Sequence, residues 1–341
     1  MKQLVNELCQ LFGPSGCEDE VREFIAEKAA PYADSIRTDP NGNLIAFKKG
    51  AKKPCKAVML AAHMDEVGLI IKGITDNGYL KFSFVGGVDS RVVIGRKVVI
   101  GDDRVVGVIG VKAYHLVDKS EEKKAIPASK LYIDIGASTK EEAESLVSPG
   151  NYGCFCSEPF IMGDDMLKAK AIDDRVGCAV LIKLLEKPLP FDTWFAFTVQ
   201  EEVGTRGALG AAFSIKPDIA IIAEGTTAAD LPSMPENKKV CAPGKGVVIP
   251  FMDGGTIYDR GLFDLLRQTA EENQIPWQTK QYISGGTDAS AIQRTAGGCR
   301  VCGIAAALRY IHSPSCVGSL TDMKNMPILL EKFLEKLGGT L

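Results

Sequence analysis

Three continuous apolar runs constrain the fold of this chain most. They are Ala57–Ala62, Trp194–Val199 and Ile219–Ala223, and Thr198 is the only polar residue among them. Successive side chains of a strand point to opposite faces, so a strand with one wet face alternates apolar and polar residues. A strand that is apolar throughout must be covered on both faces, as in a mostly parallel sheet flanked by helices. Helix-period stretches lie where that α/β architecture needs them. Leu4, Val5, Leu8, Leu11 and Phe12 predict a short first helix, broken at Gly13-Pro14-Ser15-Gly16. Further helices are predicted over Glu18–Ala30, after Asp173-Asp174-Arg175, over Gly207–Phe213, over Asp259–Asn273 and over Met326–Leu337. Asp39-Pro40-Asn41-Gly42-Asn43 reads as the turn of a hairpin joining Ile36–Thr38 to Leu44–Phe47.

The texture changes between Val67 and about Ser157. Short Val-, Ile- and Gly-rich runs, such as Lys97–Ile100 and Val105–Ile109, are separated by turns such as Asp76-Asn77-Gly78. Their spacing predicts a small β barrel or sandwich, interrupted by one helix at Thr139–Leu146. The expected organisation is a discontinuous α/β domain, 1–66 and 165–341, with an inserted β domain at 67–164. Two domains also suit a chain of 341 residues.

Composition excludes several functions. A net charge of −3 leaves no basic footprint for nucleic acid. No run is long enough to cross a bilayer, and Met1–Glu7 lacks the apolar core of a signal peptide, so a soluble cytoplasmic protein is expected. The ten cysteines are scattered, which suits reduced thiols. Cys299 and Cys302 have CxxC spacing, but they run into Gly303-Ile304-Ala305 and no second CxxC completes a zinc site.

The predicted strand ends carry the chemistry. Open α/β sheets bind ligands beyond the C-terminal ends of their strands. His63, Asp173, Glu201-Glu202, Glu224 and His312 all fall at such ends, and only one other histidine, His115, exists in the chain. Two imidazoles and four carboxylates suit a pair of zinc-type cations, each taking one histidine and one terminal carboxylate, with a shared aspartate between them. Such a pair generates hydroxide at neutral pH and polarises a carbonyl, and a carboxylate left uncoordinated moves the proton. Each residue also has a plain structural reading. His63 and His312 could be satisfied polar residues, one of Asp173 and Asp174 an N-cap, and Glu224 a turn residue.

Several stretches together resemble the M42 family of metallo-aminopeptidases, which includes the glutamyl and tetrahedral (TET) aminopeptidases. They are His63-Met64-Asp65, Ala171–Arg175, Glu201–Gly204, Glu224–Thr227, Gly285–Ala289 and Arg309–Pro314. The resemblance spans nearly the whole chain and the position of the insertion. It implies removal of the N-terminal residue of short peptides by a dinuclear centre of zinc or cobalt, with manganese and iron also compatible. By position, His63 and Glu224 would hold one cation and His312 and Glu202 the other, with Asp173 bridging. Glu201 would be the general base acting through a bridging hydroxide, and Asp65 would orient His63 through its far nitrogen. Glu224 stands where many relatives have aspartate. The insertion would be PDZ-like and would build dimers, commonly assembled into a twelve-subunit tetrahedron. Alternatives on the same residues are hydrolysis of another amide, a glycosidase using two carboxylates, and a peptide-binding scaffold. The glycosidase leaves both histidines without a purpose.

Overall fold

The computed structural model describes residues 1–117, 119 and 124–339. Four parallel strands form the centre of the main sheet, in the order Thr193–Thr198, Val58–His63, Ile219–Thr227, Arg300–Arg309. Antiparallel strands flank them. The hairpin Ser35–Thr38 and Leu44–Lys48 continues one edge, and Cys316–Ser319, Met166–Ala169 and Phe160–Met162 continue the other. The strand that precedes Asp173 in the chain is thus Met166–Ala169, antiparallel to both its neighbours on that second flank.

The apolar runs divide between the two faces as the period of two requires. Leu60, Ala62, Phe195, Phe197, Ile221 and Ala223 face one core, against the helices Lys2–Gln10, Asp19–Ala29, Ile172–Leu185 and Leu320–Gly338. Met59, Ala61, Ala196, Ala220 and Ile222 face a second core, against the helix Arg206–Ile215 and its Ala208, Ala211 and Ala212. This second face is built largely of alanine, so helix and sheet approach closely. Gly207 marks that approach, because a Cβ there would lie 2.4 Å from the Val199 carbonyl oxygen.

Two elements differ from their sequence signals. The last helix begins at Leu320, not near Met326; the Ser319 hydroxyl caps it by accepting the Asp322 N–H at 3.1 Å. Pro327 lies inside this helix and hides the early start from a periodicity reading. The Ile219 strand runs on through Glu224-Gly225-Thr226 to Thr227, because Arg300–Arg309 continues to pair with it.

The inserted segment forms a closed six-stranded antiparallel barrel in the order Gly68–Ile74, Leu80–Val85, Tyr132–Asp134, Val105–Gly110, Lys97–Ile100, Tyr152–Phe155. Closure leaves no open sheet edge. Leu69, Ile71, Phe82, Val98, Ile100, Ile109 and Ile133 fill its interior. Thr139 caps the helix Lys140–Glu144 within it.

A buried charge cluster ties the N-terminal segment to the sheet. Glu66, 2 % exposed, accepts from Lys170 and lies 3.3 Å from the Arg175 guanidinium. Those two cations also donate to the carbonyls of Leu11 and Leu8, at 2.8 and 2.7 Å. Removing the anion would leave two buried positive charges facing each other. Glu66→Gln is therefore expected to destabilise the protein by about 3–5 kcal/mol. Chemical denaturation should show the lowered midpoint, and an unchanged midpoint would refute this account.

Candidate active site

The parallel strands deliver their polar ends to one crevice. His63 is the last residue of its strand and is 1 % exposed. Ile222 pairs with Ala61, which brings Glu224 to the level of His63. The Ile172–Leu185 helix opens with non-helical backbone at Asp173 and Asp174, joined by a cis peptide bond. Asp174 turns inward, accepting the Gly177 N–H at 2.9 Å and the His63 N–H at 3.2 Å. It thus caps the regular part of the helix, and Asp173 is left to face the crevice. Gly225 makes room, since a Cβ there would meet Asp173 Oδ1 at 2.7 Å. His312 follows the Arg300–Arg309 strand with a left-handed backbone, φ 58°.

The two imidazoles are oriented alike. His63 Nδ1 lies 3.1 Å from the Asp65 carbonyl oxygen and 3.4 Å from Asp65 Oδ1. His312 Nδ1 lies 2.9 Å from the Gly87 carbonyl oxygen. A carbonyl can only accept, so Nδ1 carries a hydrogen in each ring, and Nε2 is the nitrogen turned to the crevice. His63 Nε2 is 3.7 Å from Asp173 Oδ1 and 3.6 Å from Glu224 Oε2. His312 Nε2 is 3.5 Å from Asp173 Oδ2 and 3.2 Å from Glu202 Oε2. Asp173 therefore divides its two oxygens between the histidines.

Asp65 does more than face His63. Its carboxylate accepts the backbone N–H groups of Glu201 and Glu202, at 3.0 and 3.1 Å, and the Ser15 hydroxyl at 2.6 Å. It fixes the turn that carries both glutamates. Glu18 supports the same turn, accepting the N–H groups of Gly16 and Gln200 at 2.7 and 3.1 Å.

The charge balance of the site is strongly negative. Burial alone would lower the pKa of His312, but Asp173 and Glu202 raise it to about 11. Burial likewise opposes protonation of His63, yet Glu224, Asp173 and Asp65 hold it well above the ordinary range. Burial pushes Glu201 up to about 9, with His63 opposing and Asp288, Glu202 and Asp65 adding to the rise. Glu224 is driven well upward, by burial first and by Asp174, Asp173 and Glu201 against the pull of His63.

These residues fit divalent cations. Asp173 Oδ1 is buried and has no hydrogen-bond partner. Ligand atoms of His63, Asp173 and Glu202 lie within 4.8 Å of one another, as do those of His63, Asp174 and Glu224. Ligands about 2.0–2.2 Å from a tetrahedral ion stand about 3.3–3.6 Å apart, close to the separations here. All seven residues singled out in the sequence thus meet in one place. His115 lies apart, in the short 3-10 turn Tyr114–Leu116 of the insertion.

Sequence reasoning assigned no role to several neighbours. Asp288, 1 % exposed, accepts from the Thr198 hydroxyl through Oδ2, and its Oδ1 has no partner. Burial raises its carboxyl to about 6. The Gly285–Ala289 stretch around it was a visible signal. Ser15, Glu18 and Gly87 act through contacts distant in sequence, and no local pattern announces them.

Comparison with known proteins agrees over nearly the whole chain. The profile of the M42 glutamyl aminopeptidase family matches residues 42–329. A chain from Acetivibrio thermocellus, whose own aminopeptidase name is provisional, is 41 % identical over 97 % of both chains. The aminopeptidase APDkam598 of Desulfurococcus kamchatkensis superposes with a TM-score of 0.93 at 36 % identity, covering 98 % of this chain and 94 % of that one. The TET1 peptidase of Pyrococcus horikoshii, which can assemble into a tetrahedron or a large octahedral shell, gives 0.85 at 34 % identity over 98 % of both chains. With that profile match and these relatives, the chain belongs to the M42 family of aminopeptidases.

Proposed function

We propose that this protein is a dinuclear metallo-aminopeptidase that removes the N-terminal residue of short peptides. The observation that carries the reading is the division of Asp173 between the two histidines, with its Oδ1 lacking any other partner. His63 and Glu224 would hold one cation, His312 and Glu202 the other, and Asp173 both. Neutral imidazole and carboxylate donors suit zinc or cobalt, and they admit manganese or iron. When bound, the cations supply Lewis acidity and a water acidic enough to act as a nucleophile at neutral pH.

The remaining chemistry falls to the chain itself. Glu201 is the general base: it takes a proton from the attacking water and returns it to the nitrogen of the departing peptide. Asp65 holds Glu201 through its backbone N–H and keeps the base at a fixed distance from the reacting carbonyl. Asp65 also lies beside His63 Nδ1, where it fixes the tautomer.

The barrel is assigned to self-association. Val106 and Val108 on one of its strands and Leu116 nearby are exposed, at 51, 46 and 58 %. The shells of the TET1 relative support a dimer or a tetrahedral dodecamer. No described helix is long and apolar enough to cross a membrane.

Glu201→Gln should lower kcat by about 10²–10⁴-fold while KM and bound metal change little, measured on unblocked aminoacyl chromogenic substrates. Retention of most activity in this variant would remove Glu201 from the mechanism. Chelation should abolish hydrolysis, zinc or cobalt should restore it, and N-acylated substrates should stay uncut throughout. Hydrolysis that persists after exhaustive chelation would refute the two-cation reading, and failure to cut any aminoacyl substrate would turn attention to a two-carboxylate glycosidase, tested on polysaccharides. Light scattering coupled to size exclusion should return a dimer or dodecamer mass; a monomer at micromolar concentration would refute the role given to the barrel.

A further inference from the structure

We infer that the inserted barrel is a working part of the metal centre, because the loop after its second strand positions the His312–Glu202 half of the site. The inference rests on the two-cation reading above.

The two halves are built differently. His63 sits within the main sheet at 1 % exposure, and Asp65, two residues on, orients it. His312 lies in a loop beyond the sheet, with its side chain 32 % exposed. Its Nδ1 contact comes from the insertion, from the Gly87 carbonyl at 2.9 Å. That contact decides which nitrogen is turned toward Asp173 and Glu202, where a cation would take it. The loop also abuts Glu202. Gly86 has φ +83°, and a Cβ on it would stand 2.9 Å from Val67 Cγ1 and 3.3 Å from Glu202 Cβ. The segment leaving the barrel makes a third contact: the Ser157 hydroxyl donates to the Pro314 carbonyl, two residues past His312. Both ligands of this half therefore lean on the insertion, whereas the polar contacts of His63 come from the main domain.

A displaced barrel would turn His312 and crowd Glu202 directly, while His63 keeps its polar contacts to Asp65 and Glu224 within the main domain. The insertion thus sets the occupancy of one cation position, a role separate from self-association. Gly87 itself is a positioning residue that acts through its backbone, so substitution cannot delete the group concerned. The test must move it instead.

Co²⁺ titrated into metal-stripped protein reports the two positions directly, by calorimetry and by its visible absorption bands. Wild type should show two binding steps. Gly86→Ala strains the left-handed backbone and pushes on Glu202, so one step should weaken about 10–100-fold while the other stays within about twofold. Ser157→Ala, a mild change, should weaken the same step by a smaller factor, with thermal unfolding close to wild type. It keeps the question answerable if Gly86→Ala fails to fold. Two wild-type steps that Ser157→Ala and a folded Gly86→Ala leave unchanged, or weaken equally, would overturn this inference and leave the two-cation reading intact. Fewer than two steps in wild type would overturn both.

Discussion

Concentrated buried negative charge is the constraint on which the site depends. Asp65, Asp173, Asp174, Glu201, Glu202, Glu224 and Asp288 share one crevice with the imidazoles of His63 and His312 as counterions. Carboxylates removed from water repel one another strongly unless cations or hydrogen bonds offset them. Four of them show two contrasting ways of meeting this. Asp65 and Asp174 are satisfied by N–H and hydroxyl donors and act as internal braces. Asp173 meets chiefly the two histidines, and Glu224 meets His63 and the opposing fields of Asp174, Asp173 and Glu201, an environment a divalent ion stabilises.

The fold explains how such a site holds together. Parallel strands end on one side of the sheet, and four consecutive neighbours deliver His63, the Glu201–Glu202 turn, Glu224 and His312 there. The braces are themselves anchored at a distance. Ser15 and Glu18 come from the N-terminal segment, which the Glu66–Lys170–Arg175 cluster holds against the sheet. Precision at the site is therefore inherited from packing some distance away.

Much of this was legible in the sequence, for identifiable reasons. The apolar runs announce buried strands because burial on both faces removes polar alternation, and residues that follow such runs occupy the crevice by topology alone. The barrel was legible from its short strands and turns. What stayed hidden depends on contacts between distant residues. Glu224 looks like a turn residue before Gly225, yet it lies inside a strand because a neighbour keeps pairing with it. Asp65 reads as a partner of His63, while its shortest contacts go to Ser15 and to the backbone of two glutamates. Nothing local marks Gly87 as a neighbour of His312, because the two are 225 residues apart in the chain.

The alanine-lined face of the sheet bears on how this protein can diverge. Opposite faces of one strand face different tolerances. Where Phe195, Phe197 and Leu60 meet broad helices, one large side chain can be exchanged for another with local repacking. Where Ala61, Ala196 and Ala220 meet Ala208, Ala211 and Ala212, there is no volume to trade, and an added methyl group must push the helix outward. That helix begins at Arg206, directly after the turn that carries Glu201. Exchange on the large face can thus leave the chemistry alone, while growth on the small face displaces it, so side-chain size at buried alanines reaches the chemistry through the backbone alone.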